Sequence, residues 1–184
     1  GLYSVPAYTA KGQYAEWYGH SCHTPENKEE PFKELYYQHH KKHYNLAPYY
    51  DFANQFTGER FDAQKWATLF KRSGAKYINM VSKHHDGFCL YDSSYAGDLT
   101  TVRGAAKRDF LMELKNALEG TGVRFGVYHS IYEWWHPLYL EDPEKYAIEH
   151  LHPMLKELIE KYQPNTLFTD GEWEHESCVW HSTE

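Results

Sequence analysis

The sequence predicts an α/β fold, part of a (β/α)8 TIM-type barrel that runs from the region after its first strand through its fourth. Amphipathic helical segments alternate with short apolar strands, and each strand ends in residues that carry chemistry. No glycine-rich phosphate fingerprint follows any strand, which removes the usual mark of a doubly wound sheet. Alternation at this spacing implies parallel pairing through right-handed crossovers.

Residues 1–60 are expected to form a long active-site loop region, because Gly12 to Tyr50 is polar and aromatic without a sustained period. Residues 61–184 read as successive αβ units. The first helix spans Phe61 to Gly74, capped by Asp62 and stopped by Gly74, with Trp66, Leu69 and Phe70 on one face. Lys76 to Val81 follows as a strand. Asp109 to Glu119 is the second helix, with Phe110, Leu111, Leu114 and Leu118 inward, and Val123 to Tyr128 the second strand. Pro143 to Tyr162 is the third helix, with Leu151, Leu155, Leu158 and Ile159 inward. Pro164 blocks its continuation, and Thr166 to Thr169 is the third strand. A complete barrel takes about 250 residues, so the chain reads as the N-terminal part of one catalytic barrel. The opening Gly1-Leu2-Tyr3, without Met or a leader-like segment, fits a segment cut from a longer protein. Secreted, periplasmic and lysosomal locations all remain compatible.

Composition narrows the function classes. The profile is globular, with 41% hydrophobic and 24% charged residues. A net charge of −7 without a basic stripe argues against nucleic acid as a partner, and Lys41-Lys42 reads as solvated. No apolar run approaches the ~20 residues of a membrane span. Cys22, Cys89 and Cys178 give neither a disulfide framework nor metal-type spacing, so no metal or other cofactor is expected. The aromatic excess, 17 Tyr, 9 Phe and 6 Trp, divides between core packing and loop clusters such as Tyr132 to His136.

The chemistry gathers around Asp170. An apolar strand stops there beside Gly171, Glu172 and Trp173, which presents a carboxylate at the sheet rim next to a flat aromatic face. That is a candidate nucleophile in a carbohydrate site. Glu172, two residues on, would share a face with Asp170 if the strand continued, although Gly171 is placed to break it. Glu16 and Glu133, each followed by Trp, are further candidate carboxylates. His84, His85 and His129 read as neutral side chains donating to hydroxyl groups. A metal-dependent hydrolase with His84, His129 and Asp170 as ligands is one alternative; a non-catalytic sugar-binding protein is another.

Lys83-His84-His85-Asp86-Gly87-Phe88, Gly126-Val127-Tyr128-His129-Ser130 and Thr169-Asp170-Gly171-Glu172-Trp173 occur in this order in the α-L-fucosidases of glycoside hydrolase family 29, which the chain resembles from end to end. The opening Gly1 to Ala7, Glu16-Trp17-Tyr18 and Gly74-Ala75-Lys76-Tyr77 carry the same resemblance. It implies a retaining hydrolase of terminal α-L-fucose on glycoconjugates, with Asp170 forming a covalent glycosyl-enzyme ester. It also implies substrate contacts from Glu16, Trp17, His84, His85, Phe168 and Trp173, with Tyr128 or His129 at a further sugar position. Phe168 stands where many relatives have Trp. Glu172 is implied to orient rather than to donate a proton. The acid/base residue is expected outside this chain, together with the family's first sugar-binding histidine and strands five to eight, so residues 1–184 alone are expected to be inactive. Linkage preference and oligomeric state have no signal in the sequence.

Overall fold

Three parallel strands organise the part of the chain that carries His84, His85, His129 and Asp170. The computed structural model describes residues 1–24 and 30–182. It separates into two compact units, Gly1–Phe56 and Thr57–Glu184.

In the first unit, short turns of helix lead to α1 (Tyr18–Ser21) and then to α2 (Phe32–Tyr44). The loop expected over Gly12 to Tyr50 is therefore corrected across α2; its residues 25–29 lie outside the described residues. Helix α2 escapes a periodicity reading because it is polar nearly all round. It buries only Lys33, Tyr36 and His40, and its residues are mostly tolerant of helix geometry. Lys41, Lys42 and His43 fall in its last turn, where positive charge complements the exposed carbonyls of the helix end. Rings replace aliphatic side chains as the packing material. Tyr18 lies fully buried against the rings of Tyr8, Tyr36, His40 and Phe52, mostly edge to face.

The second unit follows the expected alternation. Helix α3 (Ala63–Ser73) starts where the Asp62 carboxylate accepts from Lys65 N at 3.0 Å, and left-handed Gly74 ends it. Its apolar face is not the one expected. Ala67 is buried, while Trp66 and Leu69 are exposed, so these two large side chains lie outside the described core. Strand β1 (Tyr77–Lys83) comes next, running two residues past the end of the apolar run. Helix α4 (Phe110–Leu118) buries Phe110, Leu111, Leu114 and Leu118, as its spacing requires. Asp109 accepts from Met112 N at 2.9 Å through one oxygen and from the Tyr162 hydroxyl at 2.5 Å through the other.

Strand β2 (Arg124–Ser130) leads into α5 (Pro137–Glu141) and α6 (Pro143–Tyr146). A π-helical turn over Ala147–Leu151 then joins α6 to α7 (His152–Tyr162). The wide turn has a local cause: Pro153 has no N–H to donate and its ring crowds the preceding turn. Of the four inward residues expected here, Leu151 and Leu158 are buried, Leu155 is half-buried and Ile159 is exposed. Strand β3 (Thr166–Asp170) completes the sheet.

Among the described residues the strands form one parallel sheet in the order β1-β2-β3. Residues paired across parallel strands share a face. Val81, Tyr128 and Phe168 therefore lie on one side, with Ser130 and Asp170, while Phe125, Val127 and His129 lie buried on the other. Gly126 is required by a close approach. Thr166 donates its hydroxyl to the Asn79 side-chain oxygen at 2.6 Å directly over it, and a Cβ there would stand 2.0 Å from both atoms.

Candidate active site

The site grows from the carboxyl ends of the three strands. After β1, the Asp86 carboxylate accepts from Phe88 N at 3.0 Å and Gly87 N donates to His84 O at 3.1 Å. That tight turn holds His84 and His85 side by side with ring centroids 4.0 Å apart. Trp134 N donates to His85 O at 2.9 Å, joining this turn to the segment after β2. After β3, Gly171 takes φ +98°, and a Cβ there would lie 2.4 Å from the Cβ of Tyr132. The strand therefore ends at Asp170, and its carboxylate is held at the rim.

Tyr128 donates its hydroxyl to Asp170 Oδ2 at 2.6 Å. The Asp170 carboxylate remains partly exposed, open to a ligand on its other side. His85 approaches the same oxygen with Nε2 at 4.0 Å. This is no ion pair near neutral pH. Burial, with His84 adding to it, pulls His85 down to about 3 against the opposing pull of Asp170. Burial likewise pulls His84 down to about 4. The His85 tautomer follows from its other nitrogen. Ser130 gives its single proton to Tyr132 O at 2.6 Å, so Ser130 Oγ must accept from His85 Nδ1–H at 2.6 Å. Nε2 then faces the site with a lone pair. His85 thus donates to a hydroxyl through Nδ1, while its inward Nε2 carries the lone pair.

Aromatic surfaces frame these groups. Trp173, half exposed, meets His85 edge-on at 5.7 Å, and the His84 ring stacks near Tyr128 at 5.8 Å. Phe168 is exposed beside Tyr128, with centroids 5.6 Å apart. Glu16 and Trp17 belong to the first unit, in a 3-10 turn (Ala15–Trp17) where Trp17 packs edge-on against His20.

His129 is the candidate that the geometry removes from ligand contact. It lies on the opposite face of β2 from Tyr128, fully buried, with Nδ1 2.8 Å from Ser82 Oγ. Strand alternation is the reason: only one of two neighbours can face the rim carboxylate. Glu172 is exposed; the tethered carboxylate nearby is Glu174, which accepts from Tyr132 at 2.8 Å and from Tyr139 at 3.0 Å. Glu133 is buried behind the site. Its Oε2 takes Lys83 Nζ at 2.7 Å and the Tyr146 hydroxyl at 3.1 Å, with Lys83 fully buried. Burial pushes the Glu133 carboxyl up, but Lys83 and His150 more than offset this and hold it well below the usual carboxylate range.

The buried histidines carry a pH signature. Their folded pKa values lie below the ordinary 6.5, so the folded state binds fewer protons than the unfolded chain on the acid side. The stability this gives is complete above about pH 6.5 and is lost as pH falls through 4 and then 3. Each shift corresponds to roughly 3–5 kcal/mol, not additive because His84 contributes to the shift of His85. Denaturant melts of the protein at a series of pH values check this; stability flat from pH 7 to 4 would contradict it.

The alpha-L-fucosidase family model matches residues 1–184. The chain belongs to this family. Among its relatives, the alpha-L-fucosidase of Dictyostelium discoideum is 36% identical over all of this chain and 41% of its own length. The Thermotoga maritima alpha-fucosidase solved with a mechanism-based inhibitor is 36% identical, with a TM-score of 0.79 over 94% of this chain and 43% of that one. A GH29 alpha-L-fucosidase of Bacteroides thetaiotaomicron, solved as a trapped covalent intermediate with 2-fluoro-fucosyl fluoride, is 30% identical with a TM-score of 0.72 over 94% and 38%. The chain thus spans about two-fifths of the length of these fucosidases, and its fold matches that part of the solved structures.

Proposed function

We propose that this chain is the nucleophile-bearing part of a retaining α-L-fucosidase, with Asp170 attacking the anomeric carbon of a terminal α-L-fucose. The observation that carries the reading is the rim carboxylate of Asp170, held by the Tyr128 hydroxyl and flanked by His84, His85 and Trp173. The hydrogen bond from Tyr128 holds one oxygen of the carboxylate in place and leaves the other to attack. The Nε2 lone pair of His85 accepts from a sugar hydroxyl, and Trp173 and Phe168 cover apolar edges of the ring.

The first step forms an ester between Asp170 and C1 of fucose as the glycosidic bond breaks, and the leaving oxygen takes a proton from an acid supplied by the rest of the enzyme. Water then attacks C1, Asp170 leaves, and net retention results from two inversions. The printed title of the Bacteroides relative, a trapped covalent intermediate, supports this sequence of steps. The reading places the chain within a barrel whose remaining strands and acid/base lie elsewhere, so the activity is that of the complete enzyme.

The test is to incubate the complete enzyme with a slow 2-fluoro-fucosyl donor and digest it. The fucosyl label is expected on the peptide containing Asp170. A label on any other carboxylate would overturn the assignment. Activity abolished by exhaustive chelation and restored by metal would favour the metal-dependent alternative.

A further inference from the structure

We propose that Cys22, His23 and His40 form a binding site for a zinc-class divalent cation in the first unit. Cys22 and His23 are neighbours in sequence while His40 lies on another helix, and no standard ligand spacing joins the three. Folding assembles them: α1 delivers Cys22 and His23 at its end, and α2 carries His40 on its buried face. One potential ligand atom from each lies within 4.8 Å of the others. Ligands about 2.0–2.3 Å from a common tetrahedral centre stand roughly 3.3–3.8 Å apart, so closure by about one ångström completes the geometry.

The donor chemistry suits such an ion. One thiol and two imidazoles are the soft and borderline ligands that select zinc over magnesium or calcium. His40 is arranged as ligating histidines are. A carbonyl can only accept, so His40 Nε2–H donates to Ala47 O at 2.8 Å, and Nδ1 is left with the lone pair. Tyr18 donates its hydroxyl to that nitrogen at 2.9 Å and has a second acceptor in His39 Nδ1 at 3.2 Å. For a metal to take that lone pair the Tyr18 oxygen must swing off it toward His39, which still gives the hydroxyl an acceptor. The Cys22 thiol is buried beside His40 and in no disulfide, with Sγ 3.4 Å from Gly19 O. On binding, the S–H bond breaks, sulfur keeps the electron pair for the metal, and the proton passes to solvent. His23 is exposed and closes the site from outside, leaving a fourth position for water.

A second cluster, Glu133, His136 and His150, also meets the spacing. There the ammonium of Lys83 already sits 2.7 Å from Glu133 Oε2, and a divalent ion beside it would face a buried like charge. Among the described residues, no such cation is paired with the first cluster.

Cobalt(II) titration of the purified full-length protein reads the site directly. One equivalent is expected to give a thiolate-to-cobalt charge-transfer band that Cys22→Ser removes and Cys178→Ser leaves in place. Zinc-loaded wild-type protein is expected to show one sulfur at about 2.3 Å in X-ray absorption, with the other ligands at about 2.0–2.1 Å. Should Cys22→Ser fail to fold, His23→Gln at the exposed ligand is expected to weaken zinc binding by about tenfold or more, with His43→Gln as the neutral control. A metal shell without sulfur, or a band that survives Cys22→Ser, overturns the proposal.

Discussion

Asp170→Gly in the complete enzyme is expected to lower kcat/KM on an aryl α-L-fucoside by about 10^4-fold or more, with the fold intact. The side chain is partly exposed at a strand end and its loss opens no core cavity, so the melting temperature should move little. The loss falls on chemistry because neither neighbouring carboxylate is placed to take over. Glu172 lies beyond the turn at Gly171, and Glu174 is tied to two tyrosines. A small anion supplies the sharper criterion. Azide or formate can enter the space that the carboxylate leaves and attack C1 in one inverting step. Azide should restore turnover and give the β-fucosyl azide. Tyr128→Phe removes a single hydrogen bond to the ionised group, and its loss should be about 10–100-fold. If Asp170→Gly kept wild-type activity, or azide rescued with retention, Asp170 would not be the nucleophile.

The sequence reveals the framework of the second unit because its helices and strands are apolar at the period their geometry demands. Phe110, Leu111, Leu114 and Leu118 bury together, and the strands end within two residues of where the apolar runs end. Helix α2 was hidden because a helix packed by Tyr36 and His40 has no aliphatic stripe. Tyr128 and His129 could have been separated by parity alone, since Tyr128 lies in register with Val81 and Phe168 on the Asp170 side. Lys83 and Glu133 leave no trace in periodicity: a lysine ending a strand reads as solvated until the fold sets a carboxylate against it. Cys22 and His40 meet only through the packing of the first unit, which spacing along the chain cannot show.

The buried pair of Lys83 and Glu133 should yield the largest stability effect. Lys83→Met removes the cation and leaves a carboxylate that is almost wholly buried, which is expected to cost about 3–5 kcal/mol at neutral pH. The sign of its pH dependence separates this cause from simple loss of packing. With Lys83 present, the Glu133 carboxyl is held low and stays ionised far into the acid range. Without it, burial acts on the carboxyl against His150 alone, so the folded pKa rises and a destabilised charged state is relieved by taking up a proton. The cost of Lys83→Met should therefore shrink as pH falls toward 4.5, whereas a packing defect would cost the same throughout. Pairing Lys83→Met with Glu133→Leu should recover most of the stability, because a matched apolar pair leaves no charge to desolvate. Activity should not recover in parallel. Glu133 packs against Gly87 and precedes Trp134, whose N–H bonds His85 O, so the pair also sets where the two histidines stand behind Asp170. Equal stability of the single and double variants at pH 7 would refute the coupling.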